Sequence, residues 1–190
     1  MSLMSDGISI IEPSAADAAS AYAVFEAAIT HAFEKDGLGH LKEDILGEIE
    51  QKKLLLASCL DHPDGSLVFL VAKLGDRVIG TISFGPCGSD ISRCTRRRLD
   101  AVGELGSLYV LPEYQGRGVG SALIHAMVRR LHEAGVEQFC LDSGYMQAQK
   151  RWLKKFGKPY VIAENYWGEG RPHMVWLCNV ADYLHPGGAK

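Results

Sequence analysis

The chain has 190 residues, 47% of them apolar, which is enough to bury the core of one globular domain. Its 20 lysines and arginines against 23 aspartates and glutamates give a net charge of −3, which argues against nucleic acid as the main partner. No apolar run approaches the roughly 20 residues that a membrane-spanning helix needs, so no membrane partner is expected.

The cysteines and histidines predict neither disulfides nor a metal site. The five cysteines are odd in number, scattered and without a CxxC pair, which favours a reducing, cytoplasmic setting. The seven histidines are equally dispersed. The start carries no secretory signal, and a second methionine at Met4 marks residues 1–3 as a cloning remnant. The predicted single domain is therefore residues 4–185.

The first half of the chain predicts a strand, two helices and a hairpin. "ISIIEPS" is a short strand, and Ser14 with Asp17 resembles a capping box for a helix over residues 15 to about 35. A second helix follows over roughly residues 41–60. The stretch "SLVFLVAKLGDRVIGTISFGP" then reads as two strands joined at "GD", with apolar runs that predict burial of both faces.

The second half alternates strands and helices. "CGSDISRCTRRRLDAVG" has no clear period and holds four arginines, which predicts a mobile, solvated loop. "ELGSLYVLP" is a strand, followed by a glycine-rich turn and an amphipathic helix that closes at Gly135. A strand "VEQFCLDS", a helix "MQAQKRWLKKFG" and two strands within "KPYVIAENYW" and "PHMVWLCNV" complete one α/β domain.

The glycine-rich turn at the mouth of that helix has the composition of an anion site. A helix begins with backbone N–H groups that lack intrahelical partners and with a partial positive charge. Glycines let a bulky anion approach those groups, so a glycine-rich turn before a helix predicts phosphate binding. Helix first turns commonly carry Asp or Glu, yet residues 115–125 contain no acid and include Arg117, as expected where the ligand supplies the negative charge.

The class of the glycine-rich loop follows from comparing its sequence with known phosphate-binding motifs. There is no GK[ST] after the glycines, which excludes a Walker loop, and the G-x-G-x-x-G fingerprint fails at Ser121. "QGRGVG", from Gln115 to Gly120, resembles the Q/R-x-x-G-x-G/A signature of the GNAT N-acetyltransferase superfamily. The preceding "LYVLPEY" is similar to that family's fourth strand. The resemblance implies an α/β fold with a mixed central sheet of six to seven strands, about four flanking helices and a splay at the strand before the loop.

The resemblance implies acetyl-CoA as co-substrate. Main-chain groups of the strand would pair with its pantetheine arm, at Leu108, Tyr109 and Val110. Backbone N–H groups of the loop would hold its pyrophosphate, at Gln115, Gly116, Arg117, Gly118, Val119, Gly120 and Ser121. The run Arg93, Arg96, Arg97 and Arg98 could meet the CoA 3′-phosphate or an acidic acceptor, but a solvated loop is the favoured interpretation.

For catalysis the resemblance implies direct transfer of the acetyl group from thioester to amine. Glu104, at the start of the signature strand, is the candidate base, and an exposed structural carboxylate is the equally weighted alternative. A backbone N–H near Val110 would stabilise the oxyanion. Many members carry a tyrosine acid four residues before the glycine that ends the next helix, but here that position is Leu153. Tyr145, Tyr160 and Tyr166 are substitutes that spacing does not separate, with Tyr145 carried forward as the candidate; solvent or the departing ammonium could also supply the proton.

The acceptor side is assigned to the last hairpin, where the family often binds its amine. Aromatic and charged residues suited to a small polar ligand cluster there: Tyr166, Trp167, Arg171 and His173. Turns are commonly polar, however, and Trp167 could simply be core. Asp142 and Ser143 could touch CoA or the acceptor, and helix capping is the favoured alternative.

The resulting prediction is a cytoplasmic acetyl-CoA-dependent N-acetyltransferase acting on a primary amine of a small molecule, with a homodimer expected from the family. The alternatives are a non-catalytic acyl-CoA-sensing module, favoured by Leu153, and a protein N-acetyltransferase. A nucleotide-binding oxidoreductase is disfavoured by the failed fingerprint.

Overall fold

Seven strands and five α-helices, with an added two-residue strand near the N-terminus, form the part of the chain that the structure describes. The structure is a computed structural model, and it describes residues 2–3, 7–63 and 65–184. It divides into two compact units: a first unit of Met1–Phe84 with Ser107–Met127, and a second unit of Gly85–Gly106 with Val128–Lys190. Both ends of the expected domain, residues 4 and 185, lie outside the described residues, as does Met1.

The first unit is an antiparallel meander with two long helices. Its strands pair in the order β1-β2-β3-β4. The bounds are β1 (Ser2–Leu3), β2 (Ile8–Ile11), β3 (Val68–Leu74), β4 (Arg77–Gly85), α1 (Ala18–Lys35) and α2 (Lys42–Asp61). The turn between β3 and β4 contains Gly75 at a φ of 58°, a backbone conformation that favours glycine. The predicted helices and hairpin are confirmed, whereas residues 2–3 form a strand beside β2.

The second unit is a mixed sheet with helices packed on it. Its strand order is β5-β6-β8-β7, with β5 parallel to β6 and the other pairs antiparallel. The bounds are α3 (Ser89–Cys94), β5 (Glu104–Val110), α4 (Val119–Glu133), β6 (Gln138–Ser143), α5 (Met146–Phe156), β7 (Val161–Ala163) and β8 (His173–Asn179). Strand β5 and helix α4 each run through both units. Counting β2 to β8 gives seven strands, which confirms the mixed α/β architecture.

The prediction of a loop over residues 87–103 is wrong for residues 89–94, while the four arginines of the segment are exposed as expected. Helix α3 occupies part of this segment, and Ile91 and Leu99 are buried with Cys140 and Val175 in the core of the second unit. The hydroxyl of Thr95 donates to the carbonyl of Ile91 at 2.8 Å, which closes the end of the helix. Helix α3 has six residues and contributes one core residue, Ile91, while Leu99 lies beyond its end, so the segment has too few apolar positions to make a recognisable period.

Strand β5 is irregular at Ser107. This buried residue has a φ of 47°, which is uncommon for a residue other than glycine and interrupts regular strand geometry. Its carbonyl accepts a hydrogen bond from the Thr81 hydroxyl at 2.8 Å, and Leu111 N–H donates to Ile79 C=O at 2.9 Å. Thr81 and Ile79 lie on β4, so these bonds hold the end of β5 in the first unit, next to the residues where the resemblance places a splay.

A buried ion pair secures the start of α1. The Asp17 carboxylate accepts hydrogen bonds from Ser14 N–H at 2.8 Å and from the Ser14 hydroxyl at 2.9 Å, and Lys73 Nζ contacts it at 2.5 Å. Burial acts to raise the pKa of Asp17, but the hydrogen bonds from Lys73 and Ser14 prevail and hold it below the ordinary value. The predicted capping box is thus confirmed and extended by a lysine from β3.

Asp17→Asn is expected to lower the free energy of unfolding at pH 7 by about 1–3 kcal/mol, because Lys73 loses a buried partner. The folded-state pKa of Asp17 is depressed, so its stabilising contribution is present above the unfolded-state pKa of about 3.9 and disappears as the pH falls through the folded-state value. Urea titrations at pH 7 and at pH 3 should show the difference from wild type shrinking at the lower pH. Asp76→Asn, at the exposed hairpin turn, is the control, and an equal effect of both variants would contradict the prediction.

Candidate active site

The glycine-rich turn requires glycine at two positions. Gly116 and Gly118 have φ values of 76° and 85°, in the region that other residues enter at a cost. Gly120 differs, because a Cβ built there would meet only Val110 Cγ2, at the ordinary contact distance of 3.8 Å. The signature position that accepts glycine or alanine is therefore the one whose backbone is compatible with alanine.

The turn presents free amide groups at the N-terminus of α4. The backbone bond that opens this helix runs from Ala122 N–H to Gly118 C=O at 2.9 Å. Within the described part of the chain, the N–H groups of residues 116–121 have no backbone acceptor. The first turn of α4 contains no acidic residue. Unpaired amides and the positive end of a helix dipole are the features with which helix N-termini bind anions.

Two side chains shape the turn from within the first unit. Gln115 Nε2 donates to the Val110 carbonyl at 3.0 Å and so ties the turn to the end of β5. The guanidinium of Arg117 lies 5.6 Å from the Tyr114 ring centroid, and Arg77 lies 5.7 Å from the same ring. The signature glutamine thus has a structural role, while Arg117 stays exposed beside the amides.

Tyr109 uses its side chain away from the turn. Its hydroxyl donates to Glu48 Oε1 of α2 at 2.7 Å, and its ring packs edge-on against Phe25 of α1, with centroids 5.8 Å apart. Leu108, Tyr109 and Val110 are all half-buried. The side chain of Tyr109 is therefore engaged within the first unit.

Glu104 caps a helix in the second unit. Its Oε2 accepts a hydrogen bond from Gly88 N–H, the residue before α3, at 2.6 Å. A Cβ at position 88 would lie 2.7 Å from the same oxygen, so glycine there permits the contact. The carboxylate is half-buried and has a fixed orientation, a geometry compatible with a base acting through water and also with a structural cap.

The thiols near Glu104 are unsuited to nucleophilic catalysis. Burial, followed by the charge of Glu104, raises the pKa of Cys87, and burial raises the pKa of Cys140 more strongly. Cys140 is buried in the core and its Sγ lies 3.4 Å from the Gly103 carbonyl. Both thiols stay protonated near neutral pH, which agrees with a structural Cys140.

Tyr145 stands at the start of α5, between a strand and the helix. Its N–H donates to the Ser143 hydroxyl oxygen at 3.1 Å, which makes Ser143 the local cap of this turn. Tyr145 is half-buried, whereas Tyr160 is 44% exposed. Leu153, at the position where the resemblance would place a tyrosine acid, is 41% exposed and offers no proton.

Tyr166 is held by two charged residues of α3. Its hydroxyl donates to Asp90 Oδ1 at 2.7 Å and accepts from Arg93 Nη1 at 3.0 Å. Burial and the bond to Asp90 raise the pKa of Tyr166 to about 12, so the phenol stays neutral. The sequence pattern missed Asp90 altogether and favoured solvent for Arg93, because the partner lies 73 residues away.

His173, Trp167 and Asp142 form a hydrogen-bonded chain. Trp167 Nε1–H donates to His173 Nδ1 at 3.0 Å, and His173 Nε2 bonds Asp142 Oδ2 at 2.8 Å. His173 is buried, while Trp167 is half-exposed and packs edge-to-face against Tyr166, with ring centroids 4.9 Å apart. Arg171 closes the hairpin turn through its backbone, since its carbonyl accepts from Trp167 N–H at 3.1 Å. The second unit therefore brings Tyr166, Trp167 and His173 together.

Comparison with known proteins identifies the family to which this mixed α/β fold belongs. The model of the Acetyltransferase (GNAT) family matches residues 29–158, so the chain belongs to that family and is an acyltransferase. A search of curated proteins finds no significant match. Among the described residues, no helix is long and apolar enough to cross a membrane.

Solved structures of low sequence identity share the fold. The PaiA N-acetyltransferase of Thermoplasma acidophilum, solved with coenzyme A, has a TM-score of 0.65 at 16% identity, covering 90% of this chain and 98% of that one. Aminoglycoside 6′-acetyltransferase type Ii has a TM-score of 0.60 at 13% identity, over 90% and 97%. The ribosomal-protein-S18-alanine N-acetyltransferase of Escherichia coli has a TM-score of 0.59 at 16% identity, over 91% and 94%. These names cover both small-molecule and protein acceptors.

Proposed function

We propose that this protein transfers an acetyl group from acetyl-CoA to a primary amine of a small molecule. The observation that carries the proposal is the set of unpaired amides at the N-terminus of α4, behind two glycines with positive φ. A pyrophosphate is the anionic group that such a turn suits. The PaiA structure, which contains coenzyme A, supports the same ligand for this fold.

The first unit would bind acetyl-CoA. Amides of residues 115–121 would hold the pyrophosphate, with Arg117 adding charge at the exposed edge of the turn. Gln115 would fix the turn relative to β5 through its bond to the Val110 carbonyl. Main-chain groups of Leu108, Tyr109 and Val110 would pair with the pantetheine arm. Acetyl-CoA supplies the activated thioester; the chain supplies orientation and charge stabilisation.

Proton transfer is assigned to the second unit. A primary amine with a pKa near 10, like that of lysine, must lose a proton before it can attack a carbonyl carbon. Glu104 would accept that proton through water, held in place by the Gly88 N–H. The Val110 N–H is the proposed donor to the oxyanion. Tyr145 is the proposed acid for the leaving thiolate, because Leu153 cannot serve.

The acceptor would bind at the last hairpin. Tyr166 and Trp167 would supply aromatic surface there and Arg171 a positive charge. His173 would hold Trp167 in place through its hydrogen bond to the indole N–H. A small molecule is preferred as acceptor, in the cytoplasm, with a homodimer as the assembly. The small-molecule acceptor rests on the polar hairpin, the cytoplasmic location on the cysteine content, and the homodimer on the family.

The proposal is tested by measuring the release of free thiol from acetyl-CoA. The purified protein is assayed with a panel of amino acids, polyamines, aminoglycosides and short peptides. Turnover with a small amine supports it. Turnover confined to peptides would replace the small molecule by a protein acceptor. Tight binding of acetyl-CoA without turnover on any amine would favour the alternative, a non-catalytic sensing module, for which the exposed Leu153 is the supporting observation.

Tyr145→Phe is expected to lower kcat by about 10²-fold, because general acids contribute on that scale, while the affinity for acetyl-CoA stays unchanged. The measurement is kcat at saturating amine, with Tyr160→Phe as the control at an exposed tyrosine. An unchanged kcat for Tyr145→Phe would show that Tyr145 is not the acid and that the thiolate takes its proton from solvent or from the departing ammonium.

A further inference from the structure

Trp167 is half-exposed, and its polar end is bonded to a buried histidine. The residue is 45% exposed, yet its indole N–H donates to His173 Nδ1 at 3.0 Å. An indole N–H is a donor only, so His173 Nδ1 must accept and the proton of the neutral imidazole sits on Nε2. That Nε2–H donates to Asp142 Oδ2 at 2.8 Å, and the chain of bonds fixes one tautomer and one ring orientation.

His173 cannot itself reach a ligand. It is 3% exposed and both of its ring nitrogens are engaged. Any effect that His173 has on an acceptor must therefore pass through the groups it contacts, which are Trp167, Tyr166 and Asp142. The sequence pattern grouped it with Trp167 as a contact residue, whereas the geometry separates a residue that faces outward from one that supports it.

Gly144 makes room for the indole. A Cβ at this position would overlap Trp167 Nε1 and lie 3.0 Å from Trp167 Cδ1. The lack of a side chain at the junction of β6 and α5 is thus a second requirement for the observed position of Trp167. It is independent of His173, because it acts on the ring from a different segment of the chain.

The backbone that carries Trp167 is closed by its own bonds. Trp167 N–H donates to the Arg171 carbonyl at 3.1 Å, and Gly170 N–H donates to Asn165 Oδ1 at 2.7 Å. Asn165, Gly168 and Gly170 all have positive φ, as expected for a tight turn. The ring, its polar end and its backbone are therefore each held separately.

We propose that the outward face of Trp167 contacts the aliphatic cationic part of the acceptor amine, and that His173, held by Asp142, is the positioning residue that sets this face. The inference rests on the proposed function. Since the indole N–H is used internally, the exposed ring offers a π face and no donor, which suits an ammonium group or the carbons beside it.

Two carboxylates lie in the hydrogen-bond network around the rings. Asp90 accepts from the Tyr166 hydroxyl at 2.7 Å and Asp142 bonds His173 Nε2 at 2.8 Å, while Arg93 donates to the same Tyr166 hydroxyl. The hydroxyl of neighbouring Tyr166 is already engaged with Asp90 and Arg93, so Tyr166 extends the aromatic surface without adding a free polar group.

Steady-state kinetics of variants test the contact. Trp167→Ala is expected to raise the KM of the amine about 3- to 30-fold, the range of a cation–π contact, with the KM of acetyl-CoA changed by less than about twofold. Gly144→Ala should act in the same direction although Trp167 is still present. Trp152→Phe, on α5 against Phe156, is the control with no expected effect. An unchanged amine KM in Trp167→Ala would overturn the inference while leaving the proposed function intact.

The positioning role has its own readout in the ¹H–¹⁵N spectrum of the indole groups, with the Trp167 signal assigned by its loss in Trp167→Phe. His173→Leu and Gly144→Ala should shift this signal and speed its hydrogen exchange, whereas Asp142→Asn, which keeps an oxygen for His173 Nε2–H, should change it little. An unaltered signal in both of the first two variants would overturn the role of His173.

Titration of the wild-type protein with spermidine, kanamycin and L-lysine amide covers the case in which no amine is acetylated and the proposed function fails. A shift of the Trp167 signal with any of these amines supports the contact. Absence of a shift with all of them overturns it.

Discussion

Glu104→Gln is expected to lower kcat by about 10²–10⁴-fold, the contribution of a general base, while the affinity for acetyl-CoA stays within about twofold. The amide is nearly isosteric and its oxygen can still accept from Gly88 N–H, so the cap of α3 survives the substitution. What is lost is the capacity to take a proton. The measurement is thiol release at saturating amine, with acetyl-CoA binding followed by calorimetry.

Glu104→Ala provides the structural comparison. This variant removes both the carboxylate and the acceptor for Gly88 N–H, so it should lose activity and also unfold at a lower temperature. A Glu104→Gln protein with wild-type kcat, beside a destabilised Glu104→Ala, would show that Glu104 is a helix cap and that another group removes the proton.

Gly118→Ala is expected to raise the KM of acetyl-CoA at least about tenfold. The residue has a φ of 85°, where a Cβ costs about 1–2 kcal/mol, and relief of that strain would rotate the amides of the turn away from the pyrophosphate. Each 1.4 kcal/mol corresponds to about a tenfold change in affinity. Binding of acetyl-CoA by calorimetry, together with KM, measures the effect.

Gly120→Ala is the matched control two residues further on. Its Cβ would make an ordinary contact of 3.8 Å with Val110 Cγ2, and its backbone does not require glycine. Binding should therefore change by less than about threefold. Equal losses in Gly118→Ala and Gly120→Ala, with both proteins folded by circular dichroism, would contradict the assignment of the conformational requirement to Gly118.

The sequence by itself determined most of the secondary-structure elements and the glycine-rich turn. Helical and alternating apolar periods are local, and they predicted the long helices, the hairpin and the strands of both units close to their observed bounds. The turn could also be predicted from the sequence, because glycines at the N-terminus of a helix act through backbone conformation and amide exposure, which need no distant partner. Gly116 and Gly118 do adopt the positive φ values that such a turn uses.

The tertiary structure alone decided which side chains meet. Tyr109 bonds Glu48 across 61 residues, Tyr166 bonds Asp90 across 76, and His173 bonds Asp142 across 31. A period in the sequence records which face of an element is buried but not which residue covers it. Helix α3 was missed for a related reason, since its stability comes from the burial of Ile91 in a core built by distant strands. The distinction between an outward Trp167 and a supporting His173 likewise depends on those long-range contacts.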